Sequence, residues 1–279
     1  MKRTHRNYYI ITLSILTISL VGQAAFAVKA NSKIKAQSAK ISTPPAAAQR
    51  EPQASPKNAN TLWDEWYTVT IAGKVHYGYY NERVELRDNG NQVFLKNEFW
   101  KQEEDYINRE DLGVVANSAS LSSMFFNFHS VYRTTETVID GNVKDGKFLS
   151  VRIKRGGQDL PIVQRSIPSK VFFSALFPYW LGKQLPTLKE GDMRNFETVM
   201  EDNIELGFAP MEGQIKVEKP DEIARAGGLK KIRVDSRGIR SWWWVNADGA
   251  AERIEMPEQK IVVTRSKKEI AKKFLNGTI

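Results

Sequence analysis

Residues 62–279 read as short runs of alternating side chains, with a tight turn after most of the runs. In residues 66–71, for example, successive side chains alternate between two faces, which is the period of a β-strand. Asp88, Asn89 and Gly90 follow the next run, and Asn and Gly tolerate the positive φ angles that hairpin turns require. The pattern predicts antiparallel strands at residues 66–71, 75–87, 92–101, 115–120, 124–134, 135–143, 148–154, 160–165, 195–201, 204–208, 213–218, 230–235, 239–246, 251–256 and 260–264.

One segment breaks this pattern, and we predict a helix there, at residues 169–181. Ser169 can cap its start, and the side chains that follow are apolar all round, so the helix should be buried on most sides. A second helix is predicted near the C-terminus, where Ser266 and Glu269 form a capping box. The predicted fold class is therefore mainly β (α+β): a large antiparallel twisted sheet or unclosed β-barrel that wraps one aromatic helix, with a short C-terminal helix.

Residues 1–27 have the three parts of a secretory signal. Lys2, Arg3 and Arg6 precede an apolar run, and a small-residue site ends at Ala27. We predict cleavage after Ala27 and export, with the periplasm as the expected location. The alternatives are secretion from the cell, or tethering to the inner membrane if the signal is not cleaved.

Residues 28–61 are rich in Ala, Lys, Ser and Pro and poor in bulky apolar side chains, which predicts a disordered linker. The first 61 residues hold nine Lys or Arg and one acidic residue, which leaves 32 basic and 31 acidic residues for 62–279. We predict that residues 62–279 form a single β-rich domain. Since this domain is nearly neutral, it is not expected to bind nucleic acid. The basic tail is expected either to contact an anionic membrane or cell wall weakly or to act as a solubilising spacer.

Aromatic residues supply the candidate binding site. Three consecutive Trp residues occupy a predicted strand, so Trp242 and Trp244 point one way and Trp243 the other. We predict a cavity lined by one face of this strand, the aromatic helix and a second aromatic strand. The candidate binding residues are Phe173, Phe177, Trp180, Trp242, Trp244, Phe126 and Phe128. The alternative is that these side chains only fill the core.

Catalytic chemistry has little support in the sequence. The chain has no Cys and three His, and it contains no nucleophile elbow, phosphate loop or dinucleotide fingerprint. Neither His76 nor His129 has a second ligand at metal-binding spacing, so we predict no metal and no cofactor. Clustered carboxylates, above all Glu201 and Asp202, leave a glycan hydrolase as an alternative. One further acidic cluster consists of Glu103, Glu104 and Asp105, and another consists of Glu110 and Asp111. Glu205 lies close in the chain to Glu201 and Asp202.

The beginning of the domain resembles a known type of module. The residues that carry this resemblance are Trp66, Tyr67, Gly73, Lys74, Gly78 and Tyr79. They are similar to the start of β-rich modules of exported bacterial proteins, some of which precede transglutaminase-like domains. The order of the later elements is similar to that of the unclosed, helix-plugged β-barrels of periplasmic lipoprotein carriers. The resemblance implies a half-barrel and transfers no catalytic residue.

Together these features predict a non-enzymatic exported envelope protein. It would bind an apolar ligand, such as a lipid or lipoprotein-like molecule, or an envelope protein partner, through an aromatic-lined curved sheet. The alternatives are the carboxylate-dependent glycan hydrolase and a purely structural envelope module.

Overall fold

The computed structural model describes residues 11–14, 17–20, 60–72, 75–103 and 106–273. Within these ranges the chain forms eighteen β-strands and three α-helices. The strands are β1 (Ile11–Ser14), β2 (Thr17–Leu20), β3 (Asn60–Ile71), β4 (Val75–Arg87), β5 (Gln92–Glu103), β6 (Tyr106–Asn117), β7 (Ser123–Tyr132), β8 (Thr135–Lys144), β9 (Phe148–Arg155), β10 (Gln158–Asp159), β11 (Val163–Ser166), β12 (Phe172–Phe173), β13 (Met193–Val199), β14 (Met211–Val217), β15 (Lys230–Ser236), β16 (Ile239–Val245), β17 (Ala251–Met256) and β18 (Ile261–Ser266). The helices are α1 (Phe177–Gln184), α2 (Glu222–Gly227) and α3 (Lys268–Lys273).

Sixteen of the described strands, β3–β18, form one large sheet that does not close. Neighbouring strands mostly follow one another in the chain, and the first strand of the sheet, β3, pairs with the last, β18. The predicted fold class is therefore confirmed, including the short C-terminal helix α3. One detail differs, since β12 runs parallel to β13, whereas we expected antiparallel pairs throughout.

The N-terminal predictions fall largely outside the described residues. Of the predicted signal, only β1 and β2 are described, and they pair with each other. Of the predicted linker, residues 28–59 lie outside the described ranges. Asn60 and Thr61 belong to β3, where they pair with Leu86 and Glu85. The sheet therefore begins two residues before the expected domain boundary.

Residues 172–187 form a segment that we call the plug. It consists of β12, a 3₁₀ turn (Ser174–Leu176), α1 and a second 3₁₀ turn (Leu185–Thr187). The expected helix at 169–181 therefore begins later than predicted. Ser169 does not cap it, because the preceding residues Phe172 and Phe173 pair with β13 instead. Pro178 lies in the first turn of α1, where the missing N–H of proline costs nothing.

The plug fills the inside of the curved sheet. Phe173, Leu176, Phe177 and Leu181 are all fully buried in the core. The backbone of the plug also comes very close to the turn between β16 and β17, because a Cβ on Gly182 would lie 2.0 Å from the carbonyl oxygen of Asp248. A side chain at that position would push the plug away from the sheet.

Two further predictions of secondary structure need correction, and one helix was not predicted. Residues 204–208, predicted as a strand, form turns, because Asn203 Oδ1 and nearby carbonyls accept backbone N–H groups there. The strand expected at 115–120 ends at Asn117, since the Asn117 side chain accepts from the N–H groups of the following turn. Helix α2 was not predicted, although Asp221 caps its start and Gly228 ends it with φ 62°.

Candidate ligand-binding cleft

The two faces of β16 have different surroundings. Trp243 points to the inner face, where its ring centroid lies 5.4 Å from that of Phe177 in the plug. Trp242 and Trp244 point to the outer face, opposite Arg233 and Lys231 of β15. Alternation separates the three rings as expected, but the plug packs against the face that carries Trp243. The prediction that Trp242 and Trp244 line a cavity together with the helix therefore needs correction.

Trp244 is nevertheless buried, because α2 covers it from outside. Its Nε1 donates to Asp221 Oδ1 at 2.9 Å, and Lys231 Nζ lies 5.0 Å from the ring centroid. Lys231 also pairs with Asp221 at 2.9 Å. Burial raises the pKa of Asp221, but the hydrogen bonds from Lys231, the Ala224 N–H and Trp244 outweigh it and lower the pKa to about 2. Trp244 is thus covered by polar groups and is not part of an open surface.

The other candidate residues of the inner face lie in the core. Phe126 is fully buried, and its ring centroid is 4.9 Å from that of Phe173. Phe128 is 4% exposed in the same cluster. A void of only about 10 Å³ is bordered by Glu82, Trp243 and Pro178 of the plug, among other residues. The predicted interior cavity is therefore occupied by the plug.

Glu82 is an ionisable residue within this interior. Its carboxylate accepts hydrogen bonds from Trp63 Nε1 and from the Tyr80 hydroxyl, each at 2.8 Å. Burial is the main cause that raises its pKa to about 7, and the two donors oppose that rise. Because the group lies against the core beside the plug, it can hold a proton near neutral pH but faces no open cleft.

Glu201 is the carboxylate that the hydrolase alternative depended on most. It is 1% exposed, and it accepts from Ser174 Oγ at 2.5 Å and from the Ala175 N–H at 3.0 Å. Burial raises its pKa to about 7 against the effect of these donors. Glu201 thus satisfies the N-terminal donors of the plug, the role that we expected of Ser169.

The remaining acidic clusters are also engaged or outside the described residues. Glu110 lies 3.6 Å from Lys101 inside the sheet, and Asp111 pairs with Arg109 on the outside at 2.5 Å. Glu104 and Asp105 fall outside the described ranges, as does the side chain of Glu103. None of the described carboxylates in these clusters lines the cleft described below.

An open cleft of about 1010 Å³ lies where the plug meets the ends of strands β13–β16. Its aromatic floor consists of Phe172, Trp180 and Phe196. The ring centroids of Phe172 and Trp180 are 5.8 Å apart with an interplanar angle of 22°, and that of Phe196 is 5.4 Å from Trp180. Trp180 is half-buried, whereas the two Phe rings are buried and support it.

The rim of the cleft is polar. Its lining residues beyond the floor are Lys170, Asn195, Glu197, Glu212, Gly213, Gln214, Asp235, Ser236, Arg237, Gly238, Ile239, Arg240 and Glu258. Some of these groups are paired with each other: Gln214 Nε2 donates to Asn195 Oδ1 at 2.8 Å, and Arg240 Nε donates to Asp235 Oδ1 at 2.7 Å. These pairs organise the rim from neighbouring strands.

Other rim groups have no partner within the described part of the chain. They are Lys170, Glu197 and Glu212. Glu197 and Glu212 are directly opposite each other in the β13–β14 register. Since like charges at opposing positions destabilise an antiparallel pair, this placement is costly for the sheet alone.

Histidine and metal chemistry find little support in this geometry. His129 lies on the outer face, with Nε2 2.9 Å from Glu136 and Nδ1 4.0 Å from Asp111. The side chain of His76 is outside the described residues. Among the side chains that are described, no group of three or more His, Asp or Glu is arranged to hold a metal ion.

Of the seven candidate residues, only Trp180 lines the cleft. Phe173, Phe177, Phe126 and Phe128 are core residues, and the outer Trp residues lie elsewhere. Sequence reasoning missed Phe172 and Phe196 of the floor and Glu197 and Glu212 of the rim. The alternation along residues 195–198 could have shown that Phe196 and Glu197 point to opposite faces of the strand. Nothing in the sequence indicates that the plug packs against Phe196.

Comparisons with known proteins found two solved structures of similar shape. One is a β-barrel-like protein of the domain of unknown function DUF1849 from Brucella abortus, with a TM-score of 0.45 and 10% identity over 73% of this chain and 94% of that one. The other is a DUF1089 family protein from Pseudomonas aeruginosa, with a TM-score of 0.38 and 14% identity over 64% and 90%. No family model matches the sequence, and no curated protein matches it. Among the described helices, none is both long and apolar enough to cross a membrane.

Proposed function

We propose that this protein is a non-enzymatic, exported binding protein that holds a ligand or an envelope partner in the cleft. The observation that carries the proposal is the half-buried Trp180 at the bottom of an open cleft of about 1010 Å³. A concave site with an aromatic floor and a few polar groups is the usual form of a ligand-binding pocket. Export rests on the secretory signal in residues 1–27.

The filled interior directs binding to the cleft. A ligand the size of a lipid would have to displace the plug to enter the sheet, and the plug is held by many contacts. Lys230 Nζ donates to the carbonyl oxygens of Leu185 and Leu188 at 2.6 and 2.8 Å, and Lys183 Nζ donates to Ser118 at 2.8 Å. Trp180 lies half-buried at the surface of the plug, so binding there requires no such rearrangement.

The test is to measure binding with and without the aromatic floor. We would purify the full chain without detergent, search for retained small molecules by native mass spectrometry, and titrate the neutral apolar probe N-phenyl-1-naphthylamine. Trp180→Ala should weaken retention or probe binding by about tenfold, since a large aromatic contact is lost. Trp100→Ala is the matched control, because Trp100 is also half-buried and stacks on one aromatic neighbour, Tyr79, on the outer face of β5.

Two results would contradict this function. The first is the absence of any retained molecule together with the absence of probe binding. The second is equal loss in Trp180→Ala and Trp100→Ala, which would mean that the cleft has no special role. Either result would favour a purely structural envelope module. Crosslinking in the producing cells tests whether the ligand is an envelope protein. In that case one specific envelope protein should form a crosslinked adduct, and the adduct should be lost in Trp180→Ala.

A further inference from the structure

We infer that the cleft binds an amphipathic anion, which is a molecule with a compact apolar part and a negatively charged group. This inference rests on the proposed binding function and adds the chemical class of the ligand. The residues that line the cleft divide between the two faces of the sheet. The aromatic floor shares its face with a partly desolvated cation, whereas the carboxylates of the lining strands lie on the other face.

The register of strands β13–β16 assigns the lining residues to these faces. Directly opposite residues of antiparallel strands share a face, and successive residues of one strand alternate. One row lies on the inner face with the plug: Phe196, Gly213, Ser236 and Ile239. The outer face carries the others: Asn195, Glu197, Glu212, Gln214, Asp235 and Arg240. Glu258 also acts on the outer side, since the pKa of Arg240 is raised chiefly by the hydrogen bond to Asp235 and also by the charge of Glu258.

Arg237 is a cation that reaches the inner face. It lies in the turn between β15 and β16, and its Nε donates to Met211 Sδ at 2.7 Å. Met211 and Gly213 are two residues apart in β14, so they point to the same, inner face. Met211 is directly opposite Thr198 of β13, and Thr198 pairs with Phe172 of the plug. The guanidinium therefore lies at the edge of the aromatic floor.

The surroundings of Arg237 favour an anion. Its hydrogen bond to Met211 ends on a thioether, which is a weak acceptor. Burial lowers the pKa of Arg237, and the attraction of Asp202 opposes this effect only in part. The half-buried guanidinium has thus lost more solvation than the neighbouring carboxylate replaces. A bound anion would supply charge-assisted hydrogen bonds, and the planar guanidinium suits a carboxylate, phosphate or sulfonate group.

Lys170 makes the electrostatic balance around the floor positive. It borders the cleft two residues before Phe172 and has no partner within the described part of the chain. Lys170 and Arg237 give two positive charges, against one negative charge from Asp202. This balance favours an anion over a neutral or cationic ligand. Since Lys170 is exposed, we expect it to contribute less than the half-buried Arg237.

The floor accommodates the apolar part of the ligand. The ring centroids of Phe172 and Phe196 lie 5.8 and 5.4 Å from that of Trp180. These neighbours restrict the orientation of the indole, so little conformational entropy is lost when a flat group stacks on it. Ile239 of the inner row adds apolar surface beside the rings. Because the apolar area is small and the cleft is open, a compact apolar body fits better than a long acyl chain.

Two fluorescent probes that differ by one charged group test the inference. N-phenyl-1-naphthylamine is neutral, and 8-anilino-1-naphthalenesulfonate has the same rings with one added sulfonate. In titrations of the full chain at low salt, the sulfonate should bind about five- to tenfold more tightly than the neutral probe. Added salt should reduce this advantage, because it screens the charges. Trp180→Ala should weaken the binding of both probes by about tenfold.

Arginine variants locate the anionic group. Arg237→Gln should reduce the ratio of the two affinities to about one, and Arg237→Lys should keep part of the advantage, since it retains the charge but loses the planar fork. Lys170→Gln should lower the ratio by about two- to threefold. Arg253→Gln is the matched control, because Arg253 is a half-buried, ion-paired arginine on the outer face that does not line the cleft. Its ratio should equal that of the unmodified chain.

Competition distinguishes two sources of the anion. Displacement of the sulfonate probe by soluble 2-naphthoate, but not by phosphatidylglycerol vesicles, would indicate a free amphipathic anion. Displacement by the vesicles would indicate a lipid head group at a membrane surface. Failure of both competitors to displace the probe would contradict the inference.

A sulfonate advantage that is lost in Arg237→Gln and kept in Arg253→Gln would support the inference. The inference fails if the two probes bind equally well to the unmodified chain, or if the advantage survives in Arg237→Gln. It also fails if Arg240→Gln loses as much of the advantage as Arg237→Gln, because the anion would then lie on the outer face. If the sulfonate has no advantage while neutral-probe binding still depends on Trp180, only the ligand class is wrong and the binding function stands.

Discussion

Trp243 and Trp244 are neighbours in β16 and are equally buried, at 3% exposure each, but they are buried by different means. Trp243 packs against Phe177 of the plug on the inner face of the sheet. Trp244 is covered on the outer face by polar groups, with Asp221 accepting from its Nε1 and Lys231 above its ring. The same degree of burial is therefore reached through an apolar core on one face and through a hydrogen-bonded cover on the other.

The carboxyl groups near the two rings differ in the same way. Glu82 borders the small void beside Trp243, and burial raises its pKa to about 7. Asp221 contacts Trp244, and donors that include Lys231 lower its pKa to about 2 despite the opposite effect of burial. The inner face favours the neutral carboxyl, whereas the outer face favours the carboxylate. A large side chain can therefore be buried on either face, whereas a charge is accommodated only where cations and donors cover it.

The largest expected effect is on the inner face. Trp243→Ala should lower the free energy of unfolding by about 3–5 kcal/mol, because the ring fills space between the plug and the sheet. Urea unfolding followed by circular dichroism measures this. Trp243→Phe serves as the control and should recover part of the loss. A cost below about 1 kcal/mol for Trp243→Ala would show that the plug does not depend on this contact.

The second effect concerns pH and the inner carboxyl. The folded-state pKa of Glu82 is about 7, above its ordinary value of 4.5. Its contribution is therefore fully present below pH 4.5 and is lost as the pH rises through 7, on the order of 3 kcal/mol in all. Glu201 changes in the same direction. Urea unfolding at a series of pH values between 4 and 8.5 should show the falling stability.

Glu82→Gln isolates this contribution, because a neutral amide replaces the protonated carboxyl at similar volume. The variant should lose about half of the decrease in stability between acidic and basic pH, since Glu201 still titrates. Glu190→Gln, which changes an exposed carboxylate in the turn before β13, should leave the pH profile unchanged. An unchanged profile in Glu82→Gln would instead show that the carboxyl is solvated in the folded protein.

The smallest expected effect is on the outer face. Asp221→Ala removes the cap of α2 and the acceptor of Trp244 Nε1, and it should cost about 1 kcal/mol. The Trp244 environment should also change, which tryptophan fluorescence would detect as greater access of a quencher such as iodide. Glu222→Ala is the control, because Glu222 is exposed beside the cap. A cost for Asp221→Ala as large as that of Trp243→Ala would remove the distinction between the two faces.

Much of the fold could be predicted from the sequence because strand signals are local. Alternation from residue 66 onwards and turns such as Asp88, Asn89 and Gly90 placed most strands and predicted a large sheet that does not close. Helix α2 was missed because its six residues carry too little periodicity, and only its cap at Asp221 marks it. The helix start at Ser169 was wrong because Glu201, 26 residues beyond Ala175, supplies the acceptors.

The candidate site could be predicted only in part. Trp180 was identified from the aromatic composition of its segment, and it lies in the cleft. Phe172 belongs to the plug and Phe196 to β13, and both rings meet Trp180 only in the folded protein, so no spacing in the chain predicts the floor. The envelope location, the absence of catalysis and the partners remain predictions that the experiments above address.

The amino-acid sequence alone predicts that the three Trp residues of β16 divide between two faces, because a strand has a period of two residues. It also predicts that an apolar segment without a polar face must be buried. The folded protein is needed to see which face of β16 the plug occupies and that the plug fills the sheet rather than covering an open cavity. This difference arises because alternation is a property of the local backbone, whereas the curvature of the sheet and the contacts across it depend on residues far apart in the chain.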